Sequence, residues 1–159
     1  MMRTAIYPGS FDPPTNGHYD IIRRSSMIFD HVIVAVAENP TKKYDFTVDE
    51  RTAMLKEIIK DYDNIEVDQF SGLLVQYAEN IGAVTIIRGL RALSDFEYEL
   101  ELALMNRHLN EKVDTIFMMT SEHYSFIRSS LVKEVARLGG NISDKVPPIV
   151  EKYLMKRFN

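Results

Sequence analysis

The chain contains no cysteine. That excludes disulfides, thiolate nucleophiles and cysteine-ligated metals, and it suits a reducing compartment. No apolar run approaches the ~20 residues needed to cross a bilayer. The first residues show no basic stretch followed by a long apolar one, so no signal peptide is expected and a cytoplasmic location is. An excess of positive charge is also missing. The net charge is −4, so no general attraction to nucleic acid or to an anionic membrane is expected. His31, His108 and His123 lack partners at ligand spacing, and no Asp/Glu cluster suggests a protein cage for a metal. Internal repeats, low-complexity segments and linkers are absent as well.

What is present reads as one ordinary globular domain over residues 1–159. The 45% hydrophobic and 26% charged residues suffice for a real core under a polar surface. Strand and helix patterns alternate along it. Apolar, β-rich runs fall at Thr4–Tyr7, Val32–Ala37, Ile65–Phe70, Val84–Ile87 and Thr115–Met119. The first helical pattern places Ile21, Ile22, Ser25 and Ile28 on one face. A second opens with a capping box, Thr47 and Glu50, and would bury Val48, Leu55, Ile58 and Ile59. A third runs from Leu73 to about Asn80 and stops near Gly82. The fourth would open with a box at Ser94 and Glu97 and continue through Phe96, Leu100, Ala103, Leu104 and Leu109. A fifth starts near Ser129–Ser130 and ends at Gly139–Gly140, and a last begins at Pro147–Pro148. This alternation predicts an α/β fold: a Rossmann-like, doubly wound sheet of about five parallel strands with helices on both faces.

In such sheets ligands bind beyond the carboxyl ends of the strands, and the chemically informative residues fall there. After the first strand comes Tyr7-Pro8-Gly9-Ser10-Phe11-Asp12-Pro13-Pro14-Thr15-Asn16-Gly17-His18. It is a turn-forming loop that delivers a histidine to the first turn of a helix. Free N–H groups and the dipole make that helix end attractive to anions, and Gly9 and Gly17 permit close backbone approach. Lys42 and Lys43 follow the second strand, Arg88 and Arg91 the fourth, and Tyr124 to Ser130 the fifth. Convergence of these loops would gather His, Lys, several Arg and hydroxyls, an inventory suited to a polyphosphate.

Pattern alone also allows plainer roles. Lys42-Lys43 reads as a solvated loop pair, Glu99 as an exposed helical glutamate, Ser129-Ser130 as a helix cap and Met118-Met119 as strand core. Arg91 could be a surface residue. Arg88, directly after a buried strand, needs a partner and reads as functional.

The blocks Tyr7–Pro13, Thr15-Asn16-Gly17-His18, Ile87-Arg88-Gly89-Leu90-Arg91-Ala92, Asp95-Phe96-Glu97-Tyr98-Glu99 and Ser129–Glu134 occur in an order that resembles the phosphopantetheine adenylyltransferases. That family belongs to the nucleotidyltransferase superfamily, whose mark is the Thr/His-x-Gly-His element. The resemblance covers essentially the whole chain, and its Arg-Gly-Leu-Arg and Asp-Phe-Glu-Tyr-Glu blocks are the specific ones. It implies adenylyl transfer from ATP to 4′-phosphopantetheine, giving dephospho-coenzyme A and pyrophosphate, in coenzyme A biosynthesis. It implies ATP contacts from Ser10, Phe11, His18, Gly89, Leu90, Arg91 and Glu99. The loop residues Tyr124, Ser125, Phe126, Ile127, Arg128, Ser129 and Ser130 join them. Acceptor contacts would come from Ser10, Lys42, Leu74 and Arg88. The catalytic set would be His18, Lys42 and Arg91. Ser10 stands where threonine is also common and keeps the hydroxyl. Arg128 stands where the family pattern has serine and is carried over by position only.

On this reading His18 donates to the α-phosphate, and Lys42 stands near both that phosphate and the incoming one. Arg91 and the amides of Ser129 and Ser130 hold the β- and γ-phosphates, and Arg88 anchors the acceptor phosphate. Magnesium is expected on the ATP phosphates, and the resemblance implies a homohexamer. Another adenylyl- or cytidylyltransferase of the superfamily and a non-catalytic nucleotide-binding module are the alternatives.

Overall fold

The computed structural model describes residues 2–158, the side chains of Leu93 and Ser94 excepted. Its elements alternate as β1 (Thr4–Gly9), α1 (Asn16–Ser26), β2 (His31–Glu38), α2 (Val48–Ile58), β3 (Ile65–Ser71), α3 (Leu74–Asn80), β4 (Thr85–Leu90), α4 (Leu93–Leu109), β5 (Asp114–Met119), α5 (Ser129–Arg137) and α6 (Pro148–Phe158). A single 3-10 turn, Glu122–Tyr124, precedes α5 and carries no apolar periodicity that would have announced it. The five strands form one parallel sheet in the order β3-β2-β1-β4-β5, the doubly wound arrangement.

Strand β1 lies at the centre, with Ala5 opposite Val32 on one side and Thr85 on the other. Its side chains alternate between two cores. Ala5 and Tyr7 pack with Ile21 and Ile22 of α1, Leu55 of α2, and Val32, Val34 and Val36 of β2. Ile6 points the other way, onto Ala35, Val75 and Ala78 of α3, and Ile86. Burial on both faces explains why the inner strands β1, β2 and β4 read as apolar runs, while the edge strand β3 alternates, with Ile65 and Val67 on the core and Glu66 and Asp68 away from it. A third cluster joins Phe46 and Met54 to Val132 and Ala136 of α5 and to Val150 and Leu154 of α6.

Local signals account for the helix starts. Thr47 Oγ1 accepts from Glu50 N at 3.1 Å while Thr47 N donates to Glu50 Oε2 at 2.8 Å, the expected reciprocal cap. Gly82 takes a left-handed φ of 69° beyond the end of α3.

Several pattern-based expectations need correction. Ile28 lies past the end of α1 and is exposed, because the helix stops at Ser26 and the chain turns. Met118 is core, but Met119 faces outward on the edge strand β5. Helix α4 begins at Leu93 with Ala92 in the cap position, and the side chain of Ser94 lies outside the described residues. Its apolar side chains Phe96, Leu100, Leu104 and Leu109 are exposed. In α5 the cap position is Arg128, not Ser129 or Ser130.

Candidate active site

Strand order reverses between β1 and β4, and the loops leaving these strands open a cavity of about 510 Å³. Such a crevice is the usual ligand site of an open parallel sheet. Its floor begins at Tyr7, whose hydroxyl burial pushes far above its usual range, against the pull of Arg88 and Arg91. Phe11 follows with a left-handed φ of 49°. Its buried ring packs edge-on against Tyr7 and His18, with centroids 5.4 and 5.0 Å away. Gly9 serves this packing, since a Cβ there would stand 3.0 Å from the Phe11 ring. The glycine makes room for a side chain, where the sequence suggested room for a phosphate.

Thr15 caps α1, and His18 sits at the third helical position. Thr15 N donates to His18 Nδ1 at 3.0 Å, and His18 N donates to Thr15 Oγ1 at 3.4 Å. This is a capping box with histidine in the place usually held by Glu or Gln. An Nδ1 that accepts a hydrogen bond carries no proton, so the single imidazole proton is on Nε2. Burial, aided by the charge of Arg91, pulls the pKa of His18 down to about 4. The cavity therefore meets a neutral ring with one N–H to give.

Two arginines line the same cavity. Arg88, within β4, gives Nε and Nη2 to the two carboxylate oxygens of Glu99, both at 2.6 Å. Its Nη1 has only a long contact of 3.5 Å to Pro8 O and retains donors for a ligand. Glu99 is thus a largely covered partner at 12% side-chain exposure, and not the exposed helical residue that pattern suggested. Arg91 donates to Ile127 O at 3.3 Å and stands 3.4 Å from Asp95.

On the opposite wall Lys42 Nζ donates to Ser10 Oγ at 2.9 Å. Buried Asp12 accepts from the backbone of Asp45 and Phe46, at 3.0 and 2.9 Å, and from Lys133 of α5 at 2.9 Å. Ser129 Oγ donates to Pro13 O at 2.8 Å. These bonds fix the Lys42 loop and the start of α5 to the loop after β1.

Of the residues named from sequence, the cavity gathers Ser10, Phe11, His18, Lys42, Arg88, Gly89, Arg91, Glu99, Ile127, Arg128, Ser129 and Ser130. Leu90 is buried in the sheet beside it. Four others stand outside its lining. Leu74 packs on the core under α3. Tyr124 packs on the C-terminal cluster. Ser125 turns back to Glu122 O. Phe126 is 88% exposed. Sequence reasoning missed Asp12, Lys133 and a wholly buried Arg51 as parts of this architecture. Asp12 and Lys133 lay inside blocks already quoted for the resemblance. Arg51 gave no signal, because an arginine inside an amphipathic pattern reads as solvated.

A ring of cations around a neutral N–H donor suits several phosphate oxygens at once, held partly out of water. Comparisons with known proteins narrow this. Residues 6–135 match the family described as cytidylyltransferase-like. The chain is similar to the Plasmodium falciparum nicotinic acid mononucleotide adenylyltransferase, solved in complex with NaAD. That match has a TM-score of 0.72, covers 100% of this chain and 99% of that one, and at 18% identity is a likeness of fold. It is 58% identical over 156 residues to the phosphopantetheine adenylyltransferase of Alkaliphilus metalliredigens (strain QYMF), covering 98% of this chain and 99% of that one. To the enzyme of that name from Caldanaerobacter subterraneus subsp. tengcongensis it is 56% identical over 157 residues, covering 99% and 98%. Identity at that level, sustained from one end of the sequence to the other, makes this chain a member of the phosphopantetheine adenylyltransferases within the cytidylyltransferase-like family.

Proposed function

We propose that this cavity transfers an adenylyl group from ATP to 4′-phosphopantetheine, releasing dephospho-coenzyme A and pyrophosphate. The observation that carries the reading is the convergence of His18 Nε2–H, Lys42, Arg88 and Arg91 on one crevice at the strand reversal. The family membership supplies the substrates. Neither alternative superfamily activity nor a purely binding role is favoured.

The chemistry asks for positioning and charge stabilisation. The acceptor is a phosphate monoester with a second pKa of about 6, so it is an anion at neutral pH and needs no base. One of its oxygens forms a bond to the α-phosphorus, the bond from that phosphorus to the β-bridging oxygen breaks, and pyrophosphate leaves. No proton has to move. The barrier comes from two anions meeting and from charge growing on the α-phosphate and the leaving group. Arg88 would grip the acceptor phosphate with Nη1. Glu99, assigned to ATP by the resemblance, acts first by holding that guanidinium. Lys42 would lie between acceptor and α-phosphate, with Ser10 as its anchor. His18 would donate Nε2–H as charge builds on the α-phosphate. Arg91 and the first amides of α5, at Ser129 and Ser130, would take the β- and γ-phosphates.

Magnesium fits as a passenger on the triphosphate. The carboxylates of the lining, Asp12 and Glu99, are engaged by Lys133 and Arg88, and among the described residues no three His, Asp or Glu groups come together. When bound, the ion neutralises part of the phosphate charge. A cytoplasmic location is supported by the reaction's dependence on ATP; no helix among the described residues is long and apolar enough to cross a membrane.

The acceptor is tested by pyrophosphate release from ATP and magnesium. Release is expected with 4′-phosphopantetheine and not with unphosphorylated pantetheine, which lacks the nucleophile. Equal rates with nicotinamide mononucleotide would overturn the assignment.

We also propose the homohexamer. Its physical support is α4, where Phe96, Leu100 and Leu104, four residues apart on one helix face, are all exposed. Three large apolar side chains exposed along one helix face are uncommon on a monomer. Sedimentation at micromolar concentration should give six times the chain mass, and a Leu104→Glu variant should dissociate. A stable wild-type monomer would rule the assembly out.

A further inference from the structure

Arg51 heads the fully buried side chains of this protein by size, at 1% exposure. Among the described residues no carboxylate lies within salt-bridge distance of it. Its guanidinium gives Nε to Phe46 O at 3.2 Å, and Nη1 to Ser10 O at 2.6 Å and to Ala37 O at 3.0 Å. The ring of Tyr44 lies against it, 4.0 Å from Cζ to centroid. The three carbonyls belong to three places: the residue just past β1, the end of β2, and the residue before the α2 cap. Between Ala37 and Phe46 runs the loop that carries Lys42. Arg51 therefore ties both ends of that loop to each other and to Ser10. Ser10 is held twice, its carbonyl by Arg51 and its hydroxyl by Lys42.

Stability alone does not explain such a residue. Burying a charge with no carboxylate in contact is costly, a cost that the nearby Asp12 and Glu38 offset only in part, since desolvation still dominates, and an apolar side chain of similar volume often serves a core as well or better. What an arginine supplies is a rigid, planar fork whose several N–H groups can meet divergent acceptors at fixed angles. Lysine has the charge but not the fork. We propose that Arg51 is a positioning residue for adenylyl transfer: by fixing Ser10 and the two ends of the Ala37–Phe46 loop, it sets where the Lys42 ammonium stands in the cavity. The proposal rests on the transfer reaction described above, and its reach is confined to Lys42 and Ser10.

The test is a mutant cycle in the intact protein. Arg51→Lys should lower turnover by as much as ~10²-fold, the loss that a misplacement of about an ångström can bring. In a Lys42→Ala background the same change should cost no more than about threefold, because residues acting through one another are not additive. A purely structural arginine would cost the same factor in both backgrounds, and that result overturns the proposal. So does wild-type turnover in folded Arg51→Lys. Met54→Ala, on the same helix and wholly buried, is the stability control: its melting temperature should fall while the folded enzyme keeps its turnover. Should Arg51→Lys fail to fold, Arg51→Gln, neutral and with a single donor nitrogen, enters the same cycle.

A second readout does not depend on turnover. The 13C-dimethyl signal of reductively methylated Lys42, assigned by its loss in Lys42→Ala, should stand apart from those of the other lysines in the wild type and merge with them in Arg51→Gln, which adds no lysine. A wild-type enzyme that releases no pyrophosphate would count against the reaction, while this signal would still decide the placement of Lys42. An unchanged Lys42 signal in Arg51→Gln would end the proposal.

Discussion

His18→Gln should keep the melting temperature of the wild type and lose ~10²–10³ in turnover, the usual loss for one donor aimed at developing charge. The two roles of His18 separate in this variant. Nδ1 caps the helix by accepting from Thr15 N, and a glutamine at the same helical position can accept that bond in its place. It cannot also put an N–H where Nε2 stood. His18→Ala loses both functions, so it should show the same fall in turnover with an added loss of roughly 0.5–2 kcal/mol in stability, as for other broken caps. ATP affinity should change much less in either variant, because the ground-state phosphates keep Arg91 and the start of α5. Near-normal turnover in His18→Gln would reduce the histidine to a cap.

The same residue makes a pH prediction. The folded pKa of His18, about 4, lies below its ordinary value of 6.5. Between those values the unfolded chain binds a proton that the folded protein refuses, so stability rises with pH through that window and the contribution is lost as pH falls towards 4. Thermal melts of His18→Gln should lack this part of the pH dependence. The acidic limb of wild-type turnover should follow the acceptor phosphate near about 6, since the imidazole stays neutral well below that. A limb that moves with substitution of His18 and not with the acceptor would refute the assignment.

Arg88→Ala is expected to weaken phosphopantetheine binding by ~2 kcal/mol, the low end of the loss for removing one member of a buried charged pair, since this pair is only partly buried, with little change for ATP. Part of that loss has a source that the substrate does not reveal. Without Arg88 the carboxylate of Glu99, now 2.6 Å from two guanidinium nitrogens, faces the incoming dianion unpaired. Adding Glu99→Gln should then recover some affinity, against the ordinary expectation that a second lesion deepens the first. Arg88→Lys should recover less than its charge suggests, because an ammonium lacks the planar fork that meets both carboxylate oxygens in parallel while aiming a further N–H at the ligand. Titration of the acceptor without ATP reads all three variants. Unchanged affinity in Arg88→Ala would take the residue out of the site.

The inner strands were legible because burial on both faces writes them as apolar runs, and the edge strand β3 because Ile65 and Val67 alternate with Glu66 and Asp68. The exception proves the cause: the fourth run seemed to end at Ile87, yet β4 continues through Arg88 to Leu90. A charged residue breaks the pattern, but the strand can keep it because Glu99 reaches over from α4. The cavity was legible to the extent that strand ends converge by rule. The partners that hold it were not. Glu99 and Arg88 lie eleven residues apart, Lys133 and Asp12 far more, and no local period joins them. The outward apolar face of α4 was hidden for a different reason. Periodicity says which residues share a face, and what covers that face is decided elsewhere.

Strand β1 carries a further consequence. It is buried along nearly its whole length and hydrogen-bonded to a neighbour on each side, and the loop that holds Ser10, Phe11 and His18 grows directly from its end. Its amide protons should exchange with deuterium only when the entire molecule opens, while edge strands β3 and β5 exchange earlier through partial openings. The geometry at the crevice thus survives fraying at the sheet margins and disappears only with the last cooperative unit of the fold.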